Sequence, residues 1–588
     1  MSKWILQRKS ADYATLSSKL KVDPVIVRLM VNRGLSTYDE MEEYLHPTLN
    51  NFPNPHLFAD MDKACELLRD AINSHIKIRV VGDYDVDGIM STYILSEAIA
   101  RAGGDVDYAV PHRMIDGYGI NPDMVQAAYD EGVLFIITCD NGIAATPAVD
   151  LAKELGMTFV VTDHHEVPFE LDADGVTKHQ LPPHADAVVD PKRDDCLYPF
   201  KGICGAQVAW KLAYVLYEYM GINCAEADRF LQFAAIATVC DVMELKGENR
   251  ATVYHGLKAL EHTDNPGLNA LLARNQLKDS KLSCYHIGFV VGPCLNASGR
   301  LDTASRAIEL LKESDDARAL AMANELVELN IQRKSMTQNG IDRAIEMIEE
   351  GPLKEDRVLV VYIPELHESL AGIVAGRIRE NYCKPTLVIT DAEEGAKGSG
   401  RSIPAYNMFE SLTEVKDIFT KYGGHPMAAG ISLHTDRIDE LRRRLNDNCQ
   451  LTDDDMQEII KIDCDMSLSY ITEELVDSIN LLEPYGTGNS KPVFALRNVP
   501  VKRASYMGKE GQYLRLTVGT DDGGTMTGLM FRGVQDFESL VTERFGEKAF
   551  AGLFSGQDAG VTLSIIYEPS INEFRGNRNL QIIINNFC

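Results

Sequence analysis

The sequence has no C-x-x-C pair, although it contains 12 cysteines in 588 residues. Cysteines scattered in this way form neither a zinc ribbon nor a disulfide scaffold, and we expect them to be small buried hydrophobes in a reducing compartment. The chain also lacks any apolar run near the roughly 18 residues that span a bilayer. Its N-terminal stretch MSKWILQRKSADY has no apolar core of a signal peptide. These absences predict a cytoplasmic protein with no membrane segment.

Positive charge is also scarce. The sequence has 58 Lys and Arg residues against 87 Asp and Glu residues, which gives a formal net charge of −29. Phosphate binding normally depends on basic side chains, so this balance weighs against a nucleic-acid partner. A local basic groove can nevertheless lie on an acidic body, and carboxylates that hold metal ions add to the negative count. The net charge is therefore only weak evidence against a DNA substrate.

The length and the pattern of strands and helices predict several domains of the α/β class. A chain of 588 residues exceeds what one hydrophobic core usually supports, so we expect three or four domains. Residues 1–55 are typical of a helical lead-in. Between residues 56 and 313, short apolar strands alternate with helices, which predicts a parallel sheet covered on both faces.

The remaining half of the chain predicts a long helix, a second α/β unit and a barrel. Residues 314–350 have helical periodicity and contain one glycine, which indicates a helix connecting two lobes. A smaller α/β domain is expected over 351–450. From about 455 to 588, short strands separated by glycine-containing turns predict a small antiparallel β-barrel.

A cluster of carboxylates follows the first buried strand. In VVGDYDVDGIMS, Asp83, Asp85 and Asp87 alternate along an extended segment, so they point to one side at the carboxyl end of a parallel strand. Three close anions repel one another unless a cation lies between them. A calcium-binding loop would need a glutamate at its twelfth position, which here is Ile94, so that alternative is excluded.

The same pattern recurs three times further along the chain. Asp140 ends the strand of IITCDNG, Asp163 begins the DHH of VVTDHH, and Asp241 follows the helix of ATVCDVMEL. A single aspartate at such a place is usually a helix cap or a turn residue. Four such sites together are better explained by an Asp-rich metal site with one or two imidazoles. Oxygen-rich ligands of this kind suit Mn²⁺ or Mg²⁺.

In their order, the segments DYDVDG, CDNG, DHH and VCDVMEL resemble the four motifs of the DHH phosphodiesterase family. The resemblance implies a set of metal ligands: Asp83, Asp85, Asp87, Asp140, His164 and Asp241. Asp85 and Asp87 would bind separate ions, and Asp140 would bridge them. His164 and Asp241 would complete the ligand set of the second ion, and Asp83 would support the first ion. Two such ions would clamp the scissile phosphate and activate a water molecule.

The resemblance also implies catalytic roles for Asp140, His164, His165 and Asp163. His165 would contact the phosphate or help to protonate the leaving oxygen. Asp163 is better explained as a partner that orients a histidine than as a ligand.

Further segments resemble the RecJ-type branch of this family: PHRMIDGYGI, VGPCLNASGRLD, KGSGRSIP and YGGHPMAAG. They imply a set of substrate-binding residues: Arg113, Asn296, Arg300, Ser399, Arg401 and His425. His112, next to Arg113, could also reach the substrate. The C-terminal segments resemble an OB-fold that binds single strands, in which Tyr513, Phe531 and Arg532 are candidate contacts. The sequence departs from the RecJ pattern in Leu366, Cys240 and Met243, and the first of these leaves the role of the neighbouring His367 open.

The resemblance implies a 5′→3′ exonuclease that degrades single-stranded DNA to mononucleotides in recombination and repair. It further implies a monomer, and association with a single-strand-binding protein and a RecQ-type helicase. A DHH enzyme acting on short oligoribonucleotides or cyclic dinucleotides is the alternative. A catalytically inactive scaffold is disfavoured because every expected ligand position is filled. The 5′ polarity depends on the resemblance alone.

Overall fold

The computed structural model describes residues 2–113, 115–172, 177–557, 559–574 and 576–588. The chain divides into two units. The smaller unit comprises Met1–Thr48, Leu245–Gly247 and Ile459–Cys588, and the larger unit comprises Leu49–Glu244 and Glu248–Glu458. Among the described residues, no helix has both the length and the apolar character needed to cross a membrane.

The strands are β1 (Lys3–Leu6), β2 (Ile78–Val81), β3 (Val106–Ala109), β4 (Phe135–Cys139), β5 (Thr158–Thr162), β6 (Phe169–Leu171), β7 (Lys178–Gln180), β8 (Ala187–Val189), β9 (Leu359–Tyr362), β10 (Thr386–Asp391), β11 (Ala396–Arg401), β12 (Phe419–His425), β13 (Ala428–Leu433), β14 (Ile459–Ile462), β15 (Cys464–Asp465), β16 (Phe494–Met507), β17 (Tyr513–Gly519), β18 (Thr525–Met530), β19 (Val561–Phe574) and β20 (Asn577–Phe587). The helices are α1 (Tyr13–Leu20), α2 (Pro24–Asn32), α3 (Tyr38–Leu45), α4 (Met61–Asn73), α5 (Val86–Arg101), α6 (Pro122–Asp130), α7 (Thr146–Glu154), α8 (Gly205–Tyr219), α9 (Leu231–Cys240), α10 (Gly247–Glu261), α11 (Pro266–Arg274), α12 (Cys284–His286), α13 (Gly292–Leu301), α14 (Ser305–Lys312), α15 (Asp316–Glu350), α16 (Ala371–Tyr382), α17 (Met408–Thr413), α18 (Ile438–Asn448), α19 (Glu473–Asn480), α20 (Val534–Phe545) and α21 (Glu547–Ser555).

The first sheet of the larger unit is wholly parallel, with the strand order β3-β2-β4-β5-β8. Strand β4 (FIITC) is buried along its full length. A strand with two covered faces needs such a continuous apolar run, since helices pack on both sides of a parallel sheet. Helices α6 and α7 share an apolar core with the sheet, while α5 and α8 pack against the same strands. The predicted parallel sheet is thus confirmed.

Helix α15 connects this sheet to the second sheet of the larger unit. It has 35 residues and begins at Asp315, whose side chain accepts a hydrogen bond from the N–H of Arg318. Its last turns place Ala344 and Ile348 in an apolar core with α16 and β9. The second sheet has the order β12-β13-β11-β10-β9, in which only the β9–β10 pair is parallel. The predicted long helix and smaller α/β domain are both present.

The smaller unit contains a partly closed ring of strands. The order β16-β17-β18-β20-β19 returns to β16 through a β16–β19 pairing. The predicted barrel is therefore confirmed, although the β18–β20 pair is parallel. The N-terminal residues belong to this unit, because β1 pairs in parallel with β14 and α2 contributes Ile26 and Leu29 to the barrel's apolar core.

Candidate active site

Four aspartates lie at one edge of the parallel sheet, each just after a strand. Asp83 follows β2, Asp140 follows β4, Asp163 follows β5 and Asp190 follows β8. Because all four strands are parallel, their carboxyl ends meet at the same edge, where open α/β sheets form their ligand crevice. Asp241 reaches this edge from the C-terminus of α9. The fold thus brings together segments that are far apart in sequence.

Two neighbouring groups of side chains at this edge could each hold a cation, and a third set, Asp140, His164 and His165, overlaps both. Carboxylate oxygens of Asp83, Asp85 and Asp140 lie within 4.8 Å of one another, and so do ligand atoms of Asp87, His164 and Asp241. The two groups adjoin through Asp140, whose Oδ1 is 3.1 Å from Nε2 of His164. The six residues implied as metal ligands therefore lie together.

The electrostatics of the two groups favour a bound cation. Burial, and then the charge of Asp85, raises the pKa of Asp83 to about 7. Burial and the carboxylates of Asp87 and Asp85 likewise raise the pKa of Asp241 to about 8, and that of Asp140 well above its ordinary value. Carboxylates that raise one another's pKa gain most from a positive ion placed between them.

The imidazole of His164 completes a donor set suited to a divalent ion. Its Nε2 lies 3.4 Å from Asp87 Oδ2 and 3.8 Å from Asp241 Oδ2. Burial lowers the pKa of His164, which favours the neutral ring that binds metals. Among the described residues, the opposite nitrogen, Nδ1, has no hydrogen-bond partner. Carboxylate oxygens with one imidazole nitrogen fit Mn²⁺ or Mg²⁺.

Backbone N–H groups fix the orientation of these ligands. Asp85 caps α5 by accepting hydrogen bonds from the N–H groups of Asp87 (2.9 Å) and Gly88 (3.1 Å). Asp87 accepts hydrogen bonds from Gly205 (2.6 Å) and Ala206 (2.7 Å), the first two residues of α8. The positive end of the α8 dipole therefore lies on this carboxylate.

His165 is held beside the two groups by Asp163. Asp163 Oδ1 lies 2.8 Å from Nδ1 of His165 and also accepts a hydrogen bond from the N–H of His164. Burial would lower the pKa of His165, but Asp163 and the nearby carboxylates raise it to about 9. Tyr118 donates a 3.0 Å hydrogen bond to the carbonyl of Asp140, and its hydroxyl lies 3.1 Å from Nε2 of His165.

A cleft of about 620 Å³ lies beside this edge, within the larger unit. Its basic lining side chains are Arg113, Arg300, Lys397, Arg401 and Lys421. Burial, followed by repulsion from Arg113, lowers the pKa of Arg300 to about 10. The guanidinium of Arg113 lies 4.7 Å from the ring centre of Tyr84, which follows the first ligand Asp83. An acidic protein therefore has a locally basic cleft next to its carboxylates.

Ser399 and Arg401 form one wall of the cleft on β11. Arg401 Nη1 donates hydrogen bonds to Ser399 Oγ (3.1 Å) and to the carbonyl of Gly400 (2.8 Å). Gly372, in the first turn of α16, makes their position possible. A Cβ on Gly372 would lie 2.9 Å from Arg401 Nη2 and from Ser399 Oγ.

Two residues implied as substrate contacts do not line the cleft. Asn296 is half-buried on α13, and His425 is exposed at the end of β12. The N–H of His112 donates to Asp116 Oδ2. His367 has a local role. Its Nδ1 lies 2.8 Å from Ser369 Oγ, and the His367 side chain caps the short helical turn before α16.

The sequence reasoning did not select two residues that the structure places at the site. Tyr118 lies in the same PHRMIDGYGI segment that suggested Arg113, so its place in that motif was a usable signal. Asp190 ends the strand DAVVD, as Asp140 and Asp163 end theirs, and it is fully buried. In the smaller unit, the rings of Tyr513 and Phe531 meet edge to face at 5.4 Å.

Three family models match this chain: the DHH family N-terminal domain over residues 77–238, the DHHA1 domain over 355–451 and the RecJ OB domain over 462–586. The single-stranded-DNA-specific exonuclease RecJ of Bacillus subtilis is 33% identical over 587 residues, covering 99% of this chain and 70% of the relative. The Escherichia coli protein of that name is 32% identical, covering 99% and 98%. The crystal structure of Thermus thermophilus RecJ with Mn²⁺ matches with a TM-score of 0.81 and 25% identity, covering 100% of this chain and 79% of that one.

Proposed function

The chain belongs to the RecJ family of single-stranded-DNA-specific exonucleases, and from that premise we propose that it removes mononucleotides from the 5′ end of single strands. It is a metal-dependent DHH-family hydrolase that acts on single-stranded DNA. The observation that carries the proposal is the pair of ligand groups that adjoin through Asp140 beside an arginine-lined cleft.

Mn²⁺ or Mg²⁺ is the cofactor, and the proposed ligands divide between two ions. Asp83, Asp85 and Asp140 would hold one ion, and Asp87, His164 and Asp241 would hold the other, with Asp140 reaching both. When bound, such ions polarise the scissile phosphate and lower the pKa of a water molecule.

The chain's own residues would orient the reacting groups. Asp163 fixes the ring of His165 through the 2.8 Å contact with Nδ1, and the hydroxyl of Tyr118 lies 3.2 Å from Nδ1 and 3.1 Å from Nε2 of the same ring. A protonated His165 would then present a positive N–H to a phosphate oxygen or to the leaving oxygen. Tyr118 would limit the movement of this ring and of the loop that carries Asp140.

The proposed 5′ polarity relies on the wall of the cleft formed by Ser399 and Arg401. A terminal phosphate carries more negative charge than an internal one, so a partly buried guanidinium beside a hydroxyl would favour it. Arg113 and Arg300, on the side of the metal groups, would hold the next phosphates in register. A strand held at its 5′ end in this way would be cut one nucleotide at a time.

We further propose that the enzyme serves DNA recombination and repair in the cytoplasm as a monomer. A single-strand-binding protein and a RecQ-type helicase are its proposed partners, by analogy with the family. The OB-like ring, with Tyr513 beside Phe531, would provide additional contacts with the strand.

The test uses the full chain with Mn²⁺ and strands labelled at the 5′ or the 3′ end: single-stranded DNA, RNA of the same sequence, and duplex DNA. We expect labelled mononucleotide to appear first from the 5′ label of single-stranded DNA. Attack from the 3′ end would overturn the polarity, and preference for short RNA would favour the alternative DHH activity. An Asp140→Ala preparation run in parallel excludes a contaminating nuclease.

A further inference from the structure

Two aromatic rings that the proposed mechanism does not use stack on each other at the surface of the larger unit. The rings of Tyr285 and Phe289 lie 5.2 Å apart at an interplanar angle of 25°. Their side chains are nevertheless 65% and 58% exposed. Two aromatic rings stacked on each other but left largely in water contribute little to a core, and they leave ring faces available to a ligand.

Phe289 lies on a π-helical segment, Ile287–Val291, and Tyr285 lies on α12, directly before that segment. Segments of this kind are rare and occur frequently at functional sites. Gly292, at the start of α13, allows this stretch to approach the last turn of α9, and Gly288 lies at ordinary contact distance from the same turn. A Cβ on Gly288 would lie 3.6 Å from Val239, and one on Gly292 would lie 2.4 Å from the sulfur of Cys240. The rings are therefore held beside the turn that ends in Asp241.

The turn that follows α9 has an unusual conformation. Val242, next to Asp241, has a φ of 58° and is 65% exposed. A positive φ is uncommon for a β-branched residue, and such strain is concentrated at functional sites. Apolar surface is thus exposed on both segments that meet at this edge of the metal site.

The same helical stretch carries positive charge at its other end. It runs without interruption from Cys284 to Leu301 and ends with Arg300, which lines the basic cleft. At the rise of an α-helix, Phe289 and Arg300 are separated by roughly 16 Å along the axis. One element therefore presents aromatic faces and a phosphate-binding group at a separation of several nucleotides.

From this arrangement we propose that Tyr285 and Phe289 form a stacking platform for a base of single-stranded DNA, several nucleotides from the bond that is cut. The inference depends on the proposed function, since its occupant is the substrate strand. Stacked aromatic rings accept any base, because every base has a π face, and the phosphates between that base and the 5′ end would meet the basic cleft. The platform would hold the part of the strand that has not yet been degraded.

The test measures kcat/KM on 5′-phosphorylated oligothymidylates of 2 to 20 nucleotides for the wild type, Tyr285→Ala, Phe289→Ala and the double variant. We expect kcat/KM on the longer strands to fall by about 5- to 150-fold through a higher KM, which is the stacking energy of roughly 1–3 kcal/mol per base converted at 1.4 kcal/mol per tenfold. The loss of kcat/KM in the variants should grow with strand length. Tyr285→Phe should behave like the wild type, and so should Tyr129→Ala, which removes an exposed ring on α6.

A second measurement removes bases of the substrate instead of rings of the protein. One base at a time is removed from a 12-nucleotide strand, and KM is measured with the wild type. We expect one or two internal positions where base loss raises KM, and this penalty should disappear in the double variant. Three results would overturn the platform: an equal loss of kcat/KM at every strand length, no loss of kcat/KM, or no internal position at which removal of the base raises KM. A wild type that does not degrade single strands would overturn the proposed function together with it.

Discussion

The N–H of Gly205 donates a 2.6 Å hydrogen bond to the carboxylate of Asp87, at the first residue of α8. The same glycine lies against a second proposed ligand, since a Cβ on it would be 2.7 Å from the Cβ of Asp140. The start of α8 therefore positions two carboxylates that belong to different ligand groups. A small displacement here would change the separation of the two groups.

Gly205→Ala is accordingly expected to lower kcat by about a hundredfold, because displacement of a catalytic group by about 1 Å can cost that much. The added methyl group meets the Cα and Cβ of Asp140, so it cannot be accommodated by a rotamer change. Steady-state hydrolysis of single-stranded DNA with Mn²⁺ measures the effect. Gly376→Ala on α16 is the matched control, since its Cβ would have no neighbour within 4 Å. Equal activity of the two variants would contradict the proposed role of Gly205.

Asp140→Asn should abolish more than about 99% of the activity, because loss of a mere supporting contact at a metal site already costs 10- to 100-fold. The stability of the metal-free protein, in contrast, should not fall. Removing one of several mutually repelling buried carboxylates should leave it at least as stable as the wild type. Thermal unfolding with and without Mn²⁺ measures both effects. Mn²⁺ at a hundredfold excess over Kd should stabilise the wild type by about 2.7 kcal/mol, and the variant by less. Full wild-type activity after removal of metal by EDTA would refute the site.

Asp163→Asn should lower kcat about 10- to 100-fold, as expected for a residue that orients a catalytic histidine. Both of its oxygens accept hydrogen bonds, Oδ2 from Ile143 and Oδ1 from His164, so an amide NH₂ would face an N–H in either orientation. Asp190→Asn provides the comparison. Among the described residues, Oδ2 of Asp190 has no hydrogen-bond partner, so an amide fits there and a smaller effect on kcat is expected.

Three of the four ligand motifs were visible in the sequence because each follows a short, mainly apolar strand, as in β4 before Asp140, whereas Asp241 follows helix α9. Parallel strands bring their carboxyl ends together whatever the sequence between them, so the meeting of these aspartates could be predicted from the strand pattern. Asp190 fits the same rule but lies outside the motifs, and it was not selected.

Contacts between distant segments could not be predicted in this way. The pairing of Lys3 with Ile459 joins two segments that are distant in sequence, and a strand's own pattern does not specify its partner. Similarly, nothing local to Gly372 indicates that its missing Cβ makes room for Arg401. His425 belongs to a motif that the sequence shows, and in the structure it is exposed and does not line the cleft.

The stability of α3 is expected to depend on pH through Glu40. Hydrogen bonds from the N–H groups of Ser36 and Thr37 lower the pKa of Glu40 from 4.5 to about 2. Because the pKa is depressed in the folded state, the stabilisation is present above pH 4.5 and is lost as the pH falls towards 2. Hydrogen exchange of the peptide covering 36–45 should show greater protection in the wild type than in Glu40→Gln at pH 7, and the difference should shrink below pH 4.5 and vanish only below about pH 2. The peptide covering α1 is the internal control.

Arg401→Ala should remove the preference for a 5′-phosphorylated strand over a 5′-hydroxyl strand. Its guanidinium is partly buried beside Ser399, where a charge-assisted hydrogen bond to phosphate contributes about 1.5–3 kcal/mol, or roughly 10- to 150-fold in kcat/KM. The ratio of kcat/KM for the two strands measures the contribution of Arg401 to binding of the terminal phosphate, separately from the chemistry of the metal site. Arg377→Ala, which removes an exposed guanidinium paired with Glu380 on α16, should keep the wild-type ratio. If both variants keep it, the terminal phosphate binds elsewhere in the cleft, and the proposed origin of the polarity is wrong.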